Sequence, residues 1–243
     1  MLQILRYNLP MYLAAGAGCL AAALAVAWLP LPRPLAWLIV AAGAAAAFWS
    51  AASLAASYWI YDRSALGRWD WLPGLFEAPP RRWAQIHAGL DETRGALARL
   101  FPRAAGEVLD VYDAAEMTEP SIARARRLDP EPLPARAADF RALPLGDGSC
   151  DAVFLVFAAH ELRRPAARLQ LFREVARALA PRGRTILVEH LRDGASFLAF
   201  GPGFLHFLPR REWLRAAEGA GLAVAAERRI TPFVAVLTLE KRR

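Results

Sequence analysis

Apolar and polar positions divide this chain into two unlike parts. Leu9 to Leu29 runs about twenty residues without a charge, and Leu35 to Ile60 is a second such run. Each is long enough, at ~1.5 Å per residue, to cross a ~30 Å hydrocarbon core as a helix. Pro30, Pro32 and Pro34 force a tight connection between them. The pattern predicts a helical hairpin over 1–60, with Gly16, Ala17, Gly43, Ala44, Ala47 and Ser50 letting the helices approach closely. From Arg81 onward strand-like and helix-like stretches alternate. Strands are predicted at Trp83–His87, Glu107–Tyr112, around Asp139, at Ala152–Ala159, Arg184–His190, Leu222–Arg229 and Phe233–Glu240. Helices are predicted at Asp91–Phe101, with Asp91 as N-cap, at Met117–Arg127, at Pro165–Ala180 and at Pro209–Gly219. Ala152–Ala159 is unbroken apolar sequence, as expected of a strand buried on both faces in a parallel sheet. Alternating β and α with short connections predicts an α/β fold with a doubly wound, Rossmann-like sheet.

Charge sharpens the division. No acidic residue precedes Asp62, and Arg6 and Arg33 are the only basic residues before it. The formal charge of +7 therefore belongs mostly to the remainder. Arg6 precedes the first run, and Arg63, Arg68, Arg81 and Arg82 follow the second, which puts both ends of the hairpin on the cytoplasmic side of an inner membrane. A cleaved signal peptide fits less well, because a second apolar run follows with no cleavage region between. A positive face suits anionic headgroups, so membrane lipid is an expected partner. No basic block interleaved with aromatics appears, so nucleic acid is not an expected partner. Cys19 and Cys150 lie far apart and suggest neither a disulfide nor a zinc site.

The stretch from Ala138 to Leu162 carries a family signature. Asp139, Leu143-Pro144, Asp147-Gly148-Ser149 and Asp151 fall in order before the apolar strand. This resembles the class I S-adenosylmethionine-dependent methyltransferases, in particular the subgroup that includes quinone C-methyltransferases. The resemblance covers roughly Tyr61 to Glu240 and implies the class I methyltransferase fold over 81–243 and S-adenosylmethionine as cofactor. Tyr61-Asp62, Ala65 and Trp69-Asp70 resemble the cap that covers the cofactor pocket in this family, which makes 61–80 a cap or, alternatively, an amphipathic linker on the membrane surface. The Gly-rich loop expected after the first strand is altered: His87 and Asp91 stand where its first and last glycines would be, and Gly89 alone remains. These three are the expected cofactor contacts there. Asp113, in Asp113-Ala114-Ala115-Glu116-Met117, matches the acid that takes the ribose hydroxyls. Asp110, three residues earlier in the same predicted strand, should face the other way. Asp139 and Phe140 match the position that contacts the adenine.

All four histidines follow predicted strands: His87, His160, His190 and, one segment later, His206. Glu161 and Glu189 accompany two of them. His160, Glu161 and His190 are the expected catalytic residues, with His160 and His190 facing one pocket and one of them removing a proton from the acceptor. The same residue types could ligate zinc or iron, or simply brace loops by hydrogen bonds. Arg192–Leu208 is apolar and aromatic, with Phe197, Phe200, Phe204 and Phe207 at near-helical spacing, and points to a lipophilic small-molecule substrate or an interfacial surface. Two further functions stay open beside methyl transfer: another chemistry using the His/Glu cluster, and a non-catalytic membrane scaffold.

Overall fold

A computed structural model of the protein describes residues 2–89, 93–128 and 135–242. Two long helices open the chain, α1 (Leu2–Trp28) and α2 (Arg33–Tyr58). Both are long and apolar enough to cross a membrane, and neither is buried in protein along its apolar window. They lie against each other: the Tyr12 and Ser53 hydroxyls are 3.0 Å apart, and Cys19 Sγ donates to the Gly43 carbonyl at 3.5 Å. α1 begins earlier than predicted and runs through Pro10, which removes one N–H from the ladder without ending the helix. α2 passes into a π-turn at Trp59–Arg63, and short 3₁₀ turns follow at Leu66–Arg68 and Pro73–Leu75.

The rest is a seven-stranded sheet in the order β3-β2-β1-β4-β5-β7-β6. The strands are β1 (Arg82–His87), β2 (Ala105–Asp110), β3 (Arg136–Ala137), β4 (Cys150–Val156), β5 (Leu179–His190), β6 (Leu222–Thr231) and β7 (Val234–Lys241). β1 to β5 are parallel, and β7 runs antiparallel between β5 and β6. Helices α3 (Arg94–Leu100), α4 (Pro120–Leu128), α5 (Pro165–Ala178), α6 (Gly194–Phe200) and α7 (Arg210–Gly219) complete the chain. Period-two alternation sorts the central strands onto two cores. Val153 and Leu155 of β4, with Leu187 of β5, face a core that includes Phe172, Val175 and Trp213 of α5 and α7. Phe154 and Val156, with Ile186 and Val188, face a second core built with Ile60, Leu66, Trp69 and Leu72 of the junction after α2.

Several boundaries differ from the sequence pattern for local reasons. β2 ends two residues early, at Asp110, level with the ends of both its neighbours, His87 of β1 and Ala137 of β3. β4 stops at Val156: Phe157 takes φ +48°, a left-handed conformation that ends a strand, and Ala159–Glu161 form a 3₁₀ turn. α5 stops at Ala178, and Pro181-Arg182-Gly183 lie inside a longer β5 with an irregular register, Leu179 having already paired with Cys150. α3 starts at Arg94 after Thr93, and the expected N-cap Asp91 lies outside the described residues. The junction 61–80 packs on the second core through Leu66, Trp69 and Leu72. That packing is hydrophobic, with Leu66, Trp69 and Leu72 all buried.

Candidate active site

The chain order reverses direction between β1 and β4, which are adjacent and parallel. In an open α/β sheet ligands bind beyond the carboxyl ends at such a switch point. Two groups of polar residues stand there.

The first lies at the ends of β1, β2 and β3. Gly89 has φ +119°, and a Cβ there would lie 2.5 Å from Arg126 atoms, so the one retained glycine stands where backbone freedom is needed. His87 is buried, and its Nδ1 accepts the Gly89 N–H at 3.1 Å. An open cleft is lined by Asp110, Val111, Tyr112, Asp113, Arg126, Asp139, Phe140 and Arg141 among others. Asp110 and Asp113 both line it. The expectation that they face opposite ways fails because alternation holds only within a strand, and β2 ends at Asp110. Asp113 Oδ1 accepts the Ala115 N–H at 2.9 Å and Oδ2 accepts from Arg141 at 2.9 Å, which together hold its carboxyl below the usual range. Asp139 accepts the Arg141 N–H at 2.8 Å and also faces its guanidinium at 3.3 Å. Phe140 is buried, with that guanidinium over its ring at 4.1 Å. Asp110 is paired with Arg126 at 2.8 Å, and Arg126 also donates to the Ala88 carbonyl at 3.3 Å.

The signature turn is docked rather than free. Glu174 of α5 accepts the Leu143 N–H at 2.8 Å, while Arg177 donates to the Leu145 carbonyl at 2.8 Å and to Asp147 at 2.6 Å. Those bonds hold 143–147 against α5 and thereby set Asp139–Arg141 at the cleft.

The second group follows β4 and β5. The 3₁₀ turn after β4 brings His160 onto Glu189, the penultimate residue of β5: Nδ1 meets Glu189 Oε2 at 2.8 Å, and the His160 backbone N–H donates to Oε1 at 3.3 Å. Nε2 lies 3.4 Å from Glu161 Oε1. All three residues are buried. Burial alone would pull the imidazole pKa down, but the carboxylates of Glu189 and Glu161 outweigh it, and the pKa is pushed up to about 10. Glu161 is correspondingly held low by His160, against the opposing effect of its own burial. The His206 ring is 5.2 Å from that of His160, and burial pushes its pKa down to about 4. His160, Glu161 and His206 each bring one ligand-type atom within 4.8 Å of the others, a geometry that could hold a metal ion.

His190 does not join this group. Glu189 and His190 leave β5 on opposite faces, so the two expected catalytic histidines are not in one pocket. His190 is stacked between Phe157 at 4.9 Å and Phe207 at 4.7 Å, with Phe200 edge-on. Its Nδ1 donates to the Phe233 carbonyl at 2.9 Å, which leaves Nε2 to accept from the Tyr61 hydroxyl at 3.3 Å. Burial among these rings pushes its pKa down to about 4. Sequence reading singled out both histidines but missed Glu189 as the partner of His160 and Tyr61 as the partner of His190. The adjacent pair Glu189-His190 was the available signal, since neighbours on a strand must serve different faces.

Residues 93–187 match the family model described as a methyltransferase domain. No curated protein sequence matches the chain. Among solved structures, an S-adenosylmethionine-dependent methyltransferase from Aquifex aeolicus superposes with a TM-score of 0.50 at 16% identity, over 65% of this chain and 81% of that one. A putative type 11 methyltransferase from Sulfolobus solfataricus gives 0.50 at 15% identity, over 72% and 91%. The pyocyanin biosynthetic protein PhzM gives 0.53 at 18% identity, over 89% of this chain but 60% of its own length. Residues 93–187 thus match a methyltransferase domain, and the sheet around them has the fold of the S-adenosylmethionine-dependent methyltransferase it superposes on.

Proposed function

We propose that the protein transfers a methyl group from S-adenosylmethionine to a lipophilic small molecule while anchored in the cytoplasmic membrane by α1 and α2, with the domain on the cytoplasmic side. One observation carries the catalytic part: the buried His160–Glu189 pair beside the switch point, in a chain with a matched methyltransferase domain. The residues of the first cleft fit the cofactor. Gly89 offers backbone at positive φ, and three carboxylates converge where ribose and adenine donors would need acceptors. Asp113, with Asp110 beside it, would take the ribose hydroxyls and Asp139 the adenine amino group, next to Phe140; each would exchange an arginine partner for the ligand. When bound, S-adenosylmethionine supplies an electrophilic methyl group.

The chain's own residues do the rest. Glu189 fixes the His160 ring by accepting from Nδ1, so Nε2 is the atom that exchanges a proton with the acceptor. Glu161 holds that position in the resting protein, and an acceptor hydroxyl would replace it. His160 is protonated at neutral pH, so turnover should rise with pH toward about 10, where Nε2 is free. The apolar helices and the aromatic segment after β5 support a lipophilic acceptor drawn from the bilayer.

Calorimetry on the detergent-solubilised protein tests the reading. S-adenosylmethionine should bind, and Asp113→Ala should weaken it by about 1.5–3 kcal/mol, the scale of a hydrogen bond to a charged group. No binding at millimolar cofactor would end the methyltransferase reading. A reporter fused after Arg243 should be active on the cytoplasmic side.

A further inference from the structure

Among the described residues, every large hydrophobic side chain counted as exposed lies either between Leu9 and Trp59 or in the short segment after β5: Phe197 at 40%, Leu198 at 66% and Leu205 at 55%. The second set continues the first. α6 packs directly on α2: Trp49 meets Phe197 edge-on at 5.5 Å. Gly201, at φ +53°, lies so close under the indole that a Cβ would come within 2.5 Å of it. Trp49 sits well inside α2, and the chain stays uncharged from there to Asp62, a rise of about 20 Å along the helical path. Any membrane that α2 crosses therefore reaches the level of α6. Gly194 to Leu205 contains no charged residue. Charged groups meet it at its two ends: Asp193 caps α6 through the Ser196 N–H and pairs with Arg229 at 2.6 Å, and Arg192 and Arg163 donate to the carbonyls of Leu205 and His206.

We propose that α6 and the 3₁₀ turn Gly201–His206 are embedded in the bilayer beside α2, forming a third membrane-inserted element that enters and leaves on the cytoplasmic side. This rests on α2 spanning the membrane. The occupant of the exposed face is the lipid acyl region, because that face is continuous with the apolar surface of α1 and α2, and the carbonyls at its end are satisfied by protein donors, those of Leu205 and Phe207 by Arg192 and that of His206 by Arg163. The segment has two sides. Phe197, Leu198 and Leu205 face outward, while Phe200 and Phe207 pack on the buried His190 ring.

The test places one environment-sensitive fluorophore at a time on the full chain in phospholipid vesicles, in a Cys19→Ala, Cys150→Ala background. Labels at Leu198→Cys and Leu205→Cys report the segment, Val40→Cys reports α2, and Glu218→Cys on α7 reports the solvent-facing domain. Lipid brominated on its acyl chains should quench 40, 198 and 205 and spare 218, while aqueous iodide should quench 218 alone. Iodide quenching of 198 or 205 with lipid quenching of 40 would overturn the inference and leave the anchor standing. Absence of lipid quenching at 40 would overturn the anchor and the inference together.

Discussion

His160 and His190 follow neighbouring parallel strands, yet they are held in opposite protonation states. His160 meets two buried carboxylates and is pushed up to about 10; His190 meets aromatic rings and is pushed down to about 4. Both are buried, so burial does not distinguish them. The difference comes from which side chains alternation sends to each face of β5. Glu189 goes toward the turn after β4 and supplies a charge. His190 goes toward the junction and the α6 segment, where Tyr61, Phe157, Phe200 and Phe207 supply none. Position at a strand end therefore says that a histidine can reach a site, and the neighbours on its face decide what it can do there.

The largest expected contrast is in turnover. His160→Ala should slow methyl transfer by about 10²–10⁴-fold, the usual range for a general acid or base, with cofactor affinity retained. His190→Phe should slow it far less, and equal losses would erase the distinction. Next comes stability in alkali. His160 is protonated in the folded protein up to about pH 10 and in the unfolded chain only to about 6.5. Its contribution is fully present below about 6.5 and is lost as pH rises through 10, a change on the order of a few kcal/mol. Thermal melts across that window should show the decline, and Glu189→Gln should flatten it. A smaller effect runs the other way in acid. The folded pKa of His190 lies below the unfolded value, so the unfolded chain takes up the proton first and stability falls as pH drops from about 6.5 toward 4. His206 adds to the same window, so His190→Phe should remove part of the slope and leave the alkaline decline intact. Smallest is Tyr61→Phe, which deletes one hydrogen bond to His190 and should lower stability by about 0.5–1.5 kcal/mol in denaturant titrations.

Much of the architecture is readable along the chain because burial repeats with the period of each element. The two uncharged runs, the apolar β4 and the α5 spacing all lie where the pattern puts them. Boundaries drifted where pairing rather than propensity sets the limit, as at Asp110 and Leu179. The site was legible residue by residue but not as an assembly. Asp113, Asp139 and His160 all stand at strand ends, whereas the arginines that bind the acids, Arg126 and Arg141, come from α4 and the signature turn with no local motif to announce them. Likewise Asp110 was set aside by a rule that stops applying where the strand stops.

The seat of Gly201 under Trp49 also constrains the order in which the molecule is made. α2 is synthesised long before α6, so the face of α2 that carries Trp49 is bare of its partner while most of the sheet is still unmade. The contact closes one of the longest loops in the chain and cannot form early. α1 and α2 are therefore complete before that contact can close. In that order of events the N-terminal helices present the surface on which α6 later packs.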